Sequence, residues 1–553
     1  MKINLFLIAS LFLINSHLNA DIRQFKFSRT NTDLNELTRI VSIDAVEEDS
    51  VTAFANEEEW KTFLSFYIPY RIIIPVKYPK SIEMTDDDLR HVNWSKYPTY
   101  QAYLDMMASF ERDFPLMCRI DTIGYSVRGK LLLAACITGD LEKNSQKPEF
   151  FYTAQIHGDE TAASVFMLRL IDTLLSSYDK SEDIQKLLNE IQIWINPISN
   201  PDGAYYLNDS TFIGSIRYNA NSFDLNRNYP DPPHVSQPNT HIRQPETLAM
   251  MAFASQRNFR MSVNFHGGTE CVNYPWDSTP ARHPETLWFE TVSHEYADTA
   301  RFYSPLTYMS NFNRGITNGW DWYPVFGGRQ DYMTYFHNCK EVTIELSDQK
   351  MLPSSELKTY WEYNKRSLLN YIKNMEQGIT ADWSQNQIIP DSVEIVTISG
   401  LMIPVRKNHA IFHYPLNVGF YDIYIHYEDS TDSLKSIEVC KNQLTNLTPR
   451  VSFTDKDVLH PDNFCLSPVY PNPFNPETQF SLLCSSPGII QLNVFNIQGK
   501  LVTRLNTGFL DAGEHYFSWD GKDKNGKGVS SGVYIIQAQQ SKRTVRQKAV
   551  LIR

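Results

Sequence analysis

The sequence predicts an α/β domain with a mixed sheet and helices on both faces, preceded by a small α+β module and followed by two β-sandwich domains. Three observations predict it. A chain of 553 residues, 42% hydrophobic and 13% aromatic, is folded material too long for one ordinary core. Between residues 94 and 378 strand-like and helix-like segments alternate, the pattern of a sheet covered by helices, whose ligands sit beyond the strand ends. Beyond residue 379 helical periodicity stops and short alternating strands separated by turns take over.

Taken in order, residues 1–20 carry Lys2, an apolar run over 5–14 and a small residue, Ala20, at the end, the pattern of a secretory signal peptide. That run is too short to span a bilayer, and no later stretch reaches the roughly 20 apolar residues required, so no membrane span is expected. Residues 21–92 form the N-terminal module and a linker. Leu34, Leu37 and Ile40 mark a short helix, 51–54 a strand, 57–66 a second helix and 71–76 a strand. The polar stretch 80–93, with Asp86, Asp87 and Asp88, is the linker.

The central domain spans 93–378. Its expected strands are 131–137, 150–156, 191–197, 261–265 and 342–346, with a helix over 161–175 and a closing helix over 354–375. Residues 379–453 form the first sandwich, with strands at 393–398, 420–427 and 434–439; 454–462 is a linker, and 463–553 is the second sandwich. Glycines at 513, 521 and 532 mark turns in that last domain.

A net charge of −12 argues against nucleic acid as a partner, since phosphate binding needs clustered Lys and Arg. Seven scattered cysteines without a Cys-x-x-Cys pair exclude a zinc knuckle and leave at least one thiol unpaired. A few disulfides remain open in an oxidising compartment.

Five clusters carry chemistry. His157 and Glu160 sit where the strand 150–156 hands over to the helix 161–175, so an imidazole and a carboxylate can converge on one point. With His266, at another strand end followed by Gly267 and Gly268, they make two imidazoles and a carboxylate, the His₂Glu set of a catalytic zinc. The stretch 217–230 holds Arg217, Asn226 and Arg227 in a loop dense in amides, suited to an anion, because a guanidinium grips a carboxylate in a two-pronged hydrogen bond. The fourth cluster, 318–328, contains Tyr323 and ends in two glycines. In the fifth, Glu341, Thr343 and Glu345 share one face of a strand, and a carboxylate there suits a general base.

These clusters fall in the order and wording of a known family. Residues 94–378 resemble a zinc carboxypeptidase of the M14 type, in its N/E (regulatory) branch, through His-x-x-Glu, Asp-Leu-Asn-Arg-Asn, His-Gly-Gly, Tyr-x-Val-x-Gly-Gly and Glu-x-Thr-x-Glu-Leu. The resemblance implies one Zn²⁺ held by His157, Glu160 and His266. It further implies a terminal-carboxylate site at Asn226 and Arg227, oxyanion stabilisation by Arg217, a closing tyrosine at Tyr323 and a general base at Glu345. Asp277, eleven residues after His266, matches the aspartate that accompanies preference for C-terminal Lys or Arg. Arg329 stands where close relatives carry methionine, and a positive charge at the pocket mouth would weaken that preference.

The flanks fit the same resemblance. The first sandwich is similar to the transthyretin-like domain that follows the catalytic domain in that branch, and the N-terminal module loosely to the pro-domain of the digestive branch. The last segment, opening Tyr470-Pro-Asn-Pro-Phe-Asn-Pro476, resembles an Ig-like C-terminal sorting domain of bacterial type IX secretion. The implied partners are peptide or protein C-termini and that secretion machinery, and the implied location is outside a bacterial cell or on its surface. Two alternatives stay open: a catalytically weak surface protein that only binds peptides, and an amidase acting on cell-wall peptides.

Overall fold

From Arg23 the chain first builds a four-stranded antiparallel sheet: β1 (Arg23–Ser28), β2 (Ser42–Val46), β3 (Ser50–Ala55) and β4 (Tyr70–Ile72), in the order β2-β3-β1-β4. Helices α1 (Leu34–Leu37) and α2 (Glu57–Leu64) accompany it. Asn56 and Glu59 close a reciprocal cap at the start of α2, satisfying amides that the first turn leaves free. Phe25, Phe27, Ile43, Val51, Trp60 and Phe63 form its core. The sequence reading anticipated both helices and β3 but not β1 and β2.

The structure is a computed structural model that describes residues 22–30, 32–73, 82–142, 147–384, 389–396, 401–404, 410–447, 464–467, 469, 471–484, 486–541 and 543–553. The expected leader 1–20, the linker 454–462, Tyr470 and the end of the expected strand 71–76 lie outside the described residues. Among the described residues, no helix is long and apolar enough to cross a membrane.

The stretch expected to be a polar linker is, from Ile82 onward, part of the central domain. Ile82, Leu89 and Trp94 are buried in its main core. Asp88 pairs with Arg90 and Asp86 accepts from Thr99. Three apolar residues at wide spacing give no period, so the acidic run dominated the reading.

The central sheet has eight strands: β5 (Cys118–Tyr125), β6 (Leu131–Ile137), β7 (Glu149–Ala154), β8 (Gln192–Asn196), β9 (Phe259–His266), β10 (Thr269–Tyr274), β11 (Ile316–Asn318) and β12 (Lys340–Ser347). Their order is β11-β10-β12-β9-β7-β8-β6-β5. The four middle strands β12, β9, β7 and β8 run parallel, and β10 on one side and β6 on the other join them antiparallel, so the sheet is mixed as expected. Strands β7, β9 and β12 are buried at every position.

Helices cover both faces. Helices α3 (Tyr100–Asp113), α4 (Ala162–Ser176), α6 (Thr286–Phe302) and α8 (Leu357–Lys373) pack on one, through residues such as Phe110, Leu170, Phe289 and Leu368. Helices α5 (Pro245–Gln256) and α7 (Arg329–His337) pack on the other through Met250, Phe253, Tyr332 and Met333. A fully covered parallel core leaves the carboxyl ends of its strands as the open place for a site.

Two sandwiches follow. The first pairs a three-stranded sheet (Gly378–Asp382, Ile411–Pro415, Leu444–Asn446) with a four-stranded one (Ser392–Val396, Leu401–Pro404, Gly419–Tyr427, Ser430–Val439) around Trp383, Ile395, Phe412 and Ile423. The second pairs Phe464–Leu466, Thr478–Cys484 and Gly513–Trp519 with Gly488–Asn496, Leu501–Leu510, Gly532–Gln540 and Arg543–Leu551 around Leu492, Trp519 and Ile536. All seven cysteines are free thiols, so none of the disulfides left open by the sequence is formed.

Candidate active site

Three neighbouring strands end at one place. His157 follows β7 in the turn before α4, where a Cβ on Gly158 would meet the backbone of Gly203 at 2.1 Å, so only glycine lets the two backbone segments approach this closely. His266 is the last residue of β9, and Glu345 of β12 lies directly beside it in parallel register. The sequence reading anticipated each of these strand ends; the register that sets Glu345 against His266 comes from the sheet.

The donor atoms of His157, Glu160 and His266 converge. The two Nδ1 atoms face each other at 3.1 Å, Glu160 Oε1 lies 2.8 Å from one and Oε2 2.9 Å from the other. All three residues are buried. Burial pushes His266 down to about 4, so its ring is neutral at physiological pH, the form in which imidazole ligates a metal. Burial alone would raise Glu160; the two imidazoles outweigh it and hold the carboxyl well below its usual range. Nε2 of His157 meets Asp224 Oδ1 at 3.2 Å, a carboxylate that fixes the ring and leaves Nδ1 to face the other donors. The chemistry of this donor set fits zinc.

Around these donors lies a cavity of about 400 Å³, whose walls include Arg217, Asn226, Arg227, Asp277, Tyr323 and Glu345. The structure thus brings every candidate residue of the sequence reading into one site. Burial, then the nearby Glu160 carboxylate, pushes the Glu345 carboxyl well above its ordinary range, while Lys350 and Arg217 oppose the rise. Arg217 donates through Nε to Asp224 Oδ2 at 2.9 Å, and burial, which would lower its pKa, is outweighed by Asp224, Asp44 and Glu160. Arg227 and the Asn226 side chain flank the cavity from the short 3₁₀ turn Leu225–Arg227.

Asp277 is a buried part of the cavity wall. Its Oδ1 accepts from Asn273 Nδ2 at 3.1 Å and Gln330 Nε2 at 2.9 Å, and a Cβ on Gly319 would lie 1.7 Å from the same oxygen, so glycine there makes room for the carboxylate. Burial, then Asp331, pushes Asp277 well above the usual carboxylate range. Arg329 is not at the mouth as the sequence reading expected. It is 2% exposed, paired with Glu341 at 3.1 Å and bonded to Thr153 beneath the sheet. A guanidinium among buried residues goes to the nearest buried carboxylate rather than to an open pocket.

The N-terminal module forms one wall of the cavity. Asp44 to Glu47 line it, Ser42 Oγ accepts from Arg217 Nε at 2.9 Å, and Asp44 Oδ1 accepts from Arg217 Nη1 at 3.2 Å. Ser42 also donates to Asp224, and Lys350 pairs with Asp44. Arg227 Nη2 donates to the carbonyl of Ile43 at 3.1 Å. Tyr323 packs against the module's core. The sequence reading missed Ser42, Asp44, Asp224 and Lys350. Only Asp224 stood inside a cluster already singled out; the others carry no local signal.

Comparison with known proteins agrees with this geometry. The sequence profile of the zinc carboxypeptidase family matches residues 103–367, and that of the FlgD Ig-like domain matches 482–544. The chain is 35% identical over 299 residues to mouse carboxypeptidase M, covering 51% of this chain and 67% of that one. It is 33% identical over 327 residues to carboxypeptidase D of Drosophila melanogaster, covering 55% of this chain and 23% of that one. The chain therefore spans from under a quarter to about two thirds of the length of these relatives. In fold it is similar to the solved carboxypeptidase A of Helicoverpa armigera, with a TM-score of 0.50 and 17% identity over 64% of this chain and 98% of that one.

Proposed function

The chain belongs to the zinc carboxypeptidase family, and on that premise we propose that it is an exported metallocarboxypeptidase of the N/E type. It removes the C-terminal residue, Lys or Arg by preference, from peptides and proteins. The observation that carries this reading is one cavity that holds the metal donors, a buried carboxylate beside them at Glu345, the anion-gripping Arg227 and a second buried carboxylate at Asp277.

Zinc held by His157, Glu160 and His266 would supply Lewis-acid polarisation and a nucleophile at neutral pH. Asn226 and Arg227 grip the substrate's terminal carboxylate, which makes the enzyme an exopeptidase. Glu345 takes the proton of the attacking water and returns it to the leaving amine. Arg217 donates to the carbonyl oxygen as charge develops there, a role commonly worth about 3–4 kcal/mol. Tyr323 closes over the bound residue. Asp277 pairs with the cationic side chain of a C-terminal Lys or Arg; an apolar side chain would leave that carboxylate without a charged partner.

The described chain is latent. The Ile43 carbonyl, Ser42 and Asp44 use the Arg227 and Arg217 donors that a substrate needs, so the N-terminal module must leave before a peptide C-terminus can enter. The test is a set of peptides differing only in the last residue, assayed before and after limited proteolysis of the module, with and without chelator. Release of Arg and Lys should exceed that of Phe and Leu after proteolysis, and chelation should abolish it until zinc is restored. Preference for Phe or Leu would overturn the specificity. No turnover by the processed, zinc-loaded protein would overturn the activity.

The last domain serves as a sorting signal for type IX secretion of a bacterium. In support, its opening motif is stitched to its final strand: the Phe474 amide donates to Val550 and the Ile552 amide to Phe474. Asn472 adds a side-chain bond to the Lys548 carbonyl. Truncation before residue 463 should leave catalysis intact and strand the enzyme in the periplasm of its native host. Unchanged delivery to the medium or surface would refute the assignment.

A further inference from the structure

A second cluster of ligating side chains lies far from the active site, where the two sandwiches meet. Cys440 follows the strand Ser430–Val439 of the first sandwich, and Glu438 is near the end of that strand. Cys465 is in Phe464–Leu466, the first described strand of the second. One ligand atom from each of the three lies within 4.8 Å of the others. Glu438 is 4% exposed, and both cysteines are half-buried free thiols.

The carboxylate is what sets this cluster apart from a chance meeting of thiols. Its Oε1 accepts from the Cys440 thiol at 3.2 Å, while its Oε2 accepts no hydrogen bond among the described residues. A buried carboxylate oxygen without a donor costs free energy unless a cation or a donor meets it. Joining the two thiols as a disulfide would make that worse, because the thiol hydrogen now given to Glu438 would be lost. A divalent cation does the reverse. It meets the unpaired oxygen and draws thiolate from both cysteines, whose thiols burial otherwise pushes up, Cys440 to about 11.

We propose that Glu438, Cys440 and Cys465 form a second metal site, for a borderline-soft divalent cation of the zinc class, which clamps the first sandwich to the second. Two thiolates select zinc over calcium or magnesium, and one carboxylate completes three protein ligands with a fourth position for water. Binding releases the two thiol protons to solvent. The site shares no residue with the active site, so its occupancy and catalysis are separable.

Cobalt loading of the full-length protein tests it. The active-site donors are two imidazoles and a carboxylate, so cobalt there gives no sulfur-to-metal charge-transfer absorption, whereas cobalt on Cys440 and Cys465 does. Wild type should bind two equivalents and show that near-ultraviolet band. Cys440→Ser and Cys465→Ser should each lose the band and one equivalent. His157→Ala should lose the active-site equivalent and keep the band, which separates this site from the proposed catalytic one. Wild type that binds a single equivalent without the band overturns the proposal. So does an intact mass lower by two hydrogens and restored by reductant, the mark of a Cys440–Cys465 disulfide. Both of these readings use wild type alone, so a variant that fails to fold leaves the test standing.

Discussion

Two buried carboxylates share one cavity, Glu345 beside the metal donors and Asp277 among amide donors. Glu345 stands beside His266 and near Glu160, where it can exchange a proton with a water. Glu345→Gln should retain a full equivalent of metal in the active site and lower kcat by at least about 100-fold, the low end for a positioned acid or base. Turnover of the processed variant beside its metal content measures this. Asp277 meets amide donors from Asn273 and Gln330. Asp277→Ala should cost about 2–4 kcal/mol in kcat/KM for C-terminal Arg and spare apolar residues. Burial raises the Asp277 pKa in the free enzyme, so a cationic side chain must first displace a proton. KM for a C-terminal Arg substrate should therefore fall as pH rises, while KM for a C-terminal Leu substrate shows no matching change; parallel pH profiles would refute this.

At the scale of elements, strand β2 is the latch. Asp44 is half-buried in it, and its carboxylate takes both Arg217 and Lys350. Truncating one partner of a buried charge pair costs at least about 2 kcal/mol. Asp44→Asn should therefore raise the open fraction of the unprocessed chain by about 30-fold, seen as basal turnover before proteolysis. Turnover after complete removal of the module should match wild type. Equal basal turnover in the two unprocessed proteins would show that the module closes by its apolar packing on Tyr323 rather than through this ion pair.

At the scale of the whole molecule, the central domain and the first sandwich share a buried polar joint. Lys340, the first residue of β12, donates to Glu285 at 2.7 Å and to the Pro415 carbonyl at 2.6 Å, and Tyr414 donates to the other Glu285 oxygen at 2.6 Å. Burial lowers the lysine pKa to about 8 despite Glu285. Lys340→Met would leave the Glu285 charge buried with one partner and should destabilise the protein by about 3–5 kcal/mol. Denaturant melts of the full chain should show the loss, while kcat of the processed enzyme stays unchanged.

What the sequence determined by itself was local. The alternation of strands and helices, the place of His157, Glu160 and His266 at strand ends and of Glu345 on one face of a strand, and the change to sandwiches after residue 379 all come from periods of two and 3.6 residues and from short motifs. Those signals live within a few residues of each other. The tertiary structure decided what distant segments do to the same site. Asp44 reaches Arg217 across 173 residues and Arg329 turns inward to Glu341. The acidic stretch after Ile82 packs into the core, and Cys440 meets Cys465 between two domains. None of these has a sequence period, because a buried charge finds its partner through the closing of the fold, and loop closure costs little more for a long separation than for a short one.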